Sequence, residues 1–79
     1  MFNTIGYNFL DDNKISEAIE VFKLNVKLYP KAWNTYDSLG EAYALAGEKD
    51  LAVINYKKSI ELNPDNIHGK EMLKKLEEE

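Results

Sequence analysis

One histidine, three serines, fourteen carboxylates and no cysteine make up most of the reactive inventory of this chain. Nucleophilic catalysis needs a hydroxyl or thiol with a base in reach, and none of Ser16, Ser38 or Ser59 lies in the G-x-S-x-G setting of a nucleophile elbow. Ser16 stands near a helix start, Ser38 within a helix and Ser59 at a small-residue packing position, so each has a structural use. His68 alone builds neither a triad nor a metal site and reads as a solvated surface residue. Carboxylate pairs such as Asp11 with Asp12, and the run Glu77 to Glu79, suit solvated turns and faces. A general acid or base needs a pocket that excludes water, which a chain of 79 residues scarcely provides. The chain is therefore expected to be no enzyme and to bind no metal or cofactor.

Charge narrows the partners. All ten basic residues are lysines, set against fourteen acids, for a net charge of -4. Nucleic-acid binding draws much of its affinity from cations that displace counterions around phosphates, so an acidic chain without arginine is a poor candidate. No apolar run approaches the roughly 18 residues of a membrane span, and Met1-Phe2-Asn3 does not open a secretory signal. The absence of cysteine leaves the compartment unread.

What must position any site is a set of five helices. Ile5, Phe9 and Leu10 keep helical spacing from Asn3 until Asp11, Asp12 and Asn13 interrupt it. Ile15, Ala18, Ile19, Phe22 and Val26 form a second stripe, with Ser16 the expected N-cap and Pro30 the stop. Trp33, Tyr36, Leu39, Gly40, Tyr43 and Ala44 make a third, closed by Gly47 in the left-handed conformation. Asp50 is expected to cap a fourth helix with Ala52, Val53, Tyr56 and Ile60 inward, ending at Asn63-Pro64. From Asn66 only Ile67, Leu73 and Leu76, with Met72 beside them, form a narrow stripe.

The second pair of helices copies the first at a distance of 34 residues. Phe2, Ile5, Gly6 and Phe9 recur as Tyr36, Leu39, Gly40 and Tyr43, while Ala18, Phe22, Leu28 and Pro30 recur as Ala52, Tyr56, Leu62 and Pro64. With these landmarks the chain resembles the tetratricopeptide repeat (TPR) family, whose pattern W-x2-L-G-x2-Y, then A-x3-F, then P is met by Tyr36, Leu39, Gly40, Tyr43, Ala52, Tyr56 and Pro64. The resemblance implies an all-α fold: repeat one over 1–32, repeat two over 33–66 and a capping helix over 67–79, five helices in a right-handed superhelical solenoid fragment. Gly6 with Ala18, and Gly40 with Ala52, are expected to let paired helices approach to roughly 8–10 Å. In the third unit Lys70 and Lys74 replace the aromatic and the glycine, and Glu71, Lys74, Lys75 and Glu77 to Glu79 supply the polar outer face of a terminal cap, which reads as a natural C-terminus.

The family resemblance also implies a use. The first helix of each pair lines a concave, partner-binding face, here Asn3, Tyr7 and Leu10, then Asn34, Asp37, Glu41, Ala44 and Leu45, then His68, Glu71 and Lys75. The lysine-, arginine- and asparagine-based clamp for peptide carboxylates is not expected, since its places hold Asn3, Tyr7, Ser38, His68 and Met72. The string Tyr36-Asp37-Ser38-Leu39-Gly40-Glu41-Ala42-Tyr43, with Asn55 to Ser59 and Leu62-Asn63-Pro64, is similar to the C-terminal TPR tail of some bacterial serine hydrolases of the β-lactamase and penicillin-binding type. Three roles follow: a module binding a peptide or protein, an accessory domain docked on an upstream catalytic domain, or a weakly self-associating unit with an open edge around Phe2, Ile5 and Phe9.

Overall fold

The computed structural model describes residues 3–79; Met1 and Phe2 lie outside the described residues, and with Phe2 the first landmark of repeat one. Five helices follow in order: α1 (Asn3–Asp11), α2 (Ile15–Leu28), α3 (Trp33–Leu45), α4 (Lys49–Leu62) and α5 (Ile67–Glu78). No strand occurs among the described residues. Each helix packs on the next, and α1 also touches α3.

The turns inside the two pairs are one device used twice. Asn13 (φ 60°) and Gly47 (φ 79°) are the left-handed residues. Around them Asn13 N–H donates to Leu10 C=O (3.0 Å) and Lys14 N–H to Phe9 C=O (2.7 Å), just as Gly47 N–H donates to Ala44 C=O (3.1 Å) and Glu48 N–H to Tyr43 C=O (2.9 Å). This is the Schellman arrangement, which satisfies the last carbonyls of a helix. The residue that closes it immediately opens the next helix, because Ala18 and Ala52 donate to the carbonyls of Lys14 and Glu48. That is why the N-caps are Lys14 and Glu48, neither with a side-chain cap bond, and not Ser16 and Asp50 as expected. Both expected caps lie two residues too deep.

The core runs between the pairs and holds Ala18, Phe22, Leu39, Ala42, Tyr43, Ala52, Tyr56 and Leu76. Phe22 and Tyr56, fully buried, fill equivalent places one period apart and contribute roughly 2–3 kcal/mol each by burial. At both glycines the atoms nearest to an added Cβ belong to these rings. A Cβ on Gly6 would overlap the Phe22 ring, and one on Gly40 would stand 3.1 Å from Cγ and Cδ2 of Tyr56. Between the pairs the Tyr36 hydroxyl donates to the Pro30 carbonyl at 2.7 Å, so two landmarks of the repeat fasten one another.

Three apolar residues leave their expected stripes, Ile5 on α1 at 48% exposure among them. Trp33, the first residue of α3, is exposed, beyond the helices that cover the rest of its face. Ile67 is 68% exposed, because Asn66 turns its side chain inward as the N-cap of α5 and its neighbour points out. Leu76, with Met72 and Leu73, makes the contact of α5 with the second pair. Glu71, Lys74, Lys75 and Glu77 remain exposed.

Candidate functional site

The concave-face set expected from sequence divides by burial. Tyr7, Leu45, Glu71 and Lys75 are exposed, with Leu45 at 58%. Leu10, Asn34, Glu41 and Ala44 are half-buried, and Leu10 and Ala44 pack on the core. The side chain of Asn3 lies outside the described residues. Asp37 departs furthest from the expected exposed face, since only 7% of it is accessible.

Asp37 is buried because the cap helix lands on it. Asn66 Nδ2 donates to Asp37 Oδ2 (2.8 Å) and to Ser59 Oγ (2.7 Å), while Asn66 Oδ1 accepts from the Gly69 backbone N–H (3.0 Å). One asparagine thus caps α5 and ties it to α3 and α4. A buried carboxylate persists when its lone pairs find donors. His68 supplies the other, its Nδ1 lying 3.1 Å from Asp37 Oδ1. His68 was expected to be a free surface residue; its ring stays half-exposed, yet it is held by Asp37 and meets the Tyr56 ring edge-on at 6.3 Å between centroids. Gly69 must be small because a Cβ there would press on the Asn66 side chain.

On the other side of Asp37, the Tyr7 hydroxyl and Ser38 Oγ are 3.0 Å apart, joining α1 to α3. The Tyr7 ring meets Phe22 edge-on at 5.2 Å. Burial pushes the Tyr7 phenol above its ordinary value; the Ser38 hydrogen bond opposes this, and Glu41 and Asp37 add to the rise. Tyr56 is raised much further, first by burial and then by the charges of Asp37 and Glu41 and by Tyr7. Its hydroxyl is buried with no hydrogen-bond partner. Ser38, Asn66, Ser59 and the Tyr56 hydroxyl were not foreseen as parts of this cluster. Only Asn66 carried a signal, as an asparagine directly before the helical run beginning at Ile67.

Among the described residues no group of three or more histidines or carboxylates is placed to hold a metal ion, and no helix is long and apolar enough to cross a membrane. The serines point to structure: Ser38 bonds Tyr7 and Ser59 bonds Asn66, and neither meets the imidazole.

Comparison with known proteins agrees with the architecture. A family model described as Tetratricopeptide repeat matches residues 33–66. Human Superkiller complex protein 3 is 33% identical over 64 residues, covering 81% of this chain and 4% of the relative. The chloroplastic tetratricopeptide repeat domain-containing protein PYG7 of Arabidopsis thaliana is 27% identical over 66 residues, covering 84% of this chain and 22% of the relative. The chain thus spans a small part of the curated relatives it matches. Repeats of this family generally mediate contacts between proteins and are typically not enzymes. With α3 and α4 lying within the matched segment, residues 33–66 form a tetratricopeptide repeat within an all-α chain of five helices.

Proposed function

We propose that this chain is a non-catalytic module that binds a peptide or protein segment along the side formed by α1, α3 and α5. The observation that carries the reading is the exposure of Leu45 on α3 (58%), with Tyr7 on α1 partly exposed, on helices whose other residues pack on the core. Exposed apolar groups rimmed by polar ones mark interaction surfaces, and Glu41, Glu71 and Lys75 form such a rim. The name of one relative places that protein in a complex, which fits a binding role. Amide-resolved NMR titration with a mixed peptide library tests it. Shifts confined to α1, α3 and α5 and lost in Leu45→Arg are expected; shifts confined to the outer sides of α2 and α4 would overturn it.

A second reading, self-association or docking through the edge of α1, is favoured by one contrast. Ile5 is 48% exposed, whereas Leu39, one period later and covered by α2, is 5% exposed. Light scattering over a wide concentration range measures self-association, and a strictly monomeric chain would remove that form of it. A serine hydrolase domain upstream rests on the strings Tyr36 to Tyr43, Asn55 to Ser59 and Leu62-Asn63-Pro64. A Ser-x-x-Lys motif encoded ahead of Met1 would support that parentage, and its absence would end it.

A further inference from the structure

We propose that the corner where α2 turns into α3 is a second docking surface, on which Leu24, Leu28, Tyr29 and Trp33, flanked by Lys27 and Lys31, take an acidic, leucine-bearing segment of a partner protein. It goes beyond the α1, α3 and α5 side described above and does not depend on it.

The first ground is apolar exposure gathered at one place. Leu24 and Leu28 are both exposed on α2, four residues apart and so neighbours on the helix surface. The connection beyond them is tight: Ala32 N–H donates to Tyr29 C=O at 3.1 Å, closing a turn, and the Tyr36 hydroxyl donates to the Pro30 carbonyl at 2.7 Å. Tyr29 and Trp33, also exposed, stand at the two ends of that turn, with Leu28 directly before it. The second pair does not repeat this surface. One period on, Lys58 stands for Leu24 and Asn63 for Tyr29, while Leu62, the counterpart of Leu28, is half-buried. The repeat therefore needs neither Leu24 nor Tyr29 for its packing. Exposed apolar side chains grouped in this way mark interaction surfaces.

The second ground is the sign of the charge around them. No acid occurs between Glu20 and Asp37, the longest such interval in a chain of net charge -4, and Lys23, Lys27 and Lys31 lie within it. Lys23 is engaged by Glu20 at 3.8 Å, whereas Lys27 and Lys31 pair with no carboxylate among the described residues. One period after Lys27 stands Glu61, which pairs with Lys58 at 3.7 Å, so the same face of α4 satisfies its own charges. Unpaired lysines beside exposed leucines suit a partner whose own leucines are flanked by carboxylates. A flat anionic membrane suits them less. Glu17 and Glu20 are exposed on α2 seven and four residues before Leu24, hence on the same face, and would be pressed against it. A narrow segment crossing the C-terminal half of α2 avoids both.

Trp33 is the sole tryptophan and lies within the surface, so its emission reports docking. The 79-residue chain is titrated with a synthetic peptide of leucine, alanine and glutamate, its leucines four residues apart, and with the same peptide carrying glutamine for glutamate. The acidic peptide should shift the emission to the blue, saturably, and bind about fivefold more tightly than the neutral one at low salt, the scale of one or two exposed ion pairs. Lys27→Glu should remove that preference, while Lys57→Glu, an equal charge change at an exposed site on α4, should leave it. Leu28→Ser, also at an exposed site, should weaken both peptides about tenfold with Tm nearly unchanged. No saturable shift with the acidic peptide would overturn the surface, and so would a shift that only vesicles of phosphatidylglycerol produce. Equal affinity for the two peptides, or equal losses in Lys27→Glu and Lys57→Glu, would overturn the acidic partner.

Discussion

Tyr56→Phe should make this chain more stable, an unusual outcome for a substitution in a core. The ring is fully buried and its hydroxyl has no hydrogen-bond partner, so folding strips that oxygen of water and returns nothing. A buried unsatisfied group of this kind costs about 1–3 kcal/mol. Removing one oxygen forfeits a few dispersion contacts, each about 0.1–0.2 kcal/mol, and the net gain should be about 1 kcal/mol. For a chain of 79 residues, an unfolding entropy of about 2.1 cal/mol/K per residue turns that gain into a rise in Tm of about 6 °C. Thermal unfolding by circular dichroism at neutral pH reads it directly. The effect should grow in alkali. Tyr56 is held protonated in the folded chain by burial and by the nearby charges of Asp37 and Glu41, whereas in the unfolded chain it ionises near 10. The raised folded value means that its contribution is complete below that pH and is lost as pH rises, because the unfolded state gives up the proton first. The wild type should therefore lose stability more steeply than the variant above about pH 10. An unchanged or lower Tm for Tyr56→Phe, with parallel alkaline slopes, would show that the hydroxyl is satisfied and refute the reasoning.

Gly40→Leu drives a side chain into the Tyr56 ring, 3.1 Å from the Cβ position; overpacking costs roughly 1–3 kcal/mol or more, read as a fall in Tm. Asn66→Ala removes the α5 cap and strands Ser59 while depriving Asp37 of a donor, so a loss of about 3 kcal/mol and faster amide exchange in α5 are expected. Truncation after Asn66 uncovers the surface met by Met72, Leu73 and Leu76 and should promote aggregation visible by light scattering. Ile5→Ser, at an exposed site, should leave Tm nearly unchanged while lowering any concentration-dependent self-association.

The elements were legible because the signals that end helices are local. Asn13, Pro30, Gly47 and Pro64 each mark a break through backbone properties that no distant contact alters. The starts of α2 and α4 were misplaced because the Schellman turns had already assigned Lys14 and Glu48 to both roles, a tertiary economy invisible to a search for capping side chains. Asp37 was read as exposed because a helical period gives direction but not what lies opposite. Its cover comes from Asn66 and His68, about thirty residues later, on a helix whose landing point no local pattern encodes. The Tyr56 hydroxyl was hidden for a related reason: the repeat pattern accepts Phe or Tyr alike, so the single atom that distinguishes them carries no weight in it.

Because one residue both closes α1 and opens α2, and likewise α3 and α4, the two helices of each pair are phase-locked. A helix advances about 100° per residue, so deleting Asn13 would rotate the whole α2 stripe by that angle and swing Phe22 off Gly6. The turn has no slack in which to absorb the slip. The connection through Pro30 to Ala32 is longer and is fastened by a side chain, the Tyr36 hydroxyl on the Pro30 carbonyl, which can let go without breaking a helix. Length changes should thus be tolerated between pairs and lethal within them, and any opening of the array under load should hinge there, each pair swinging as a rigid vane.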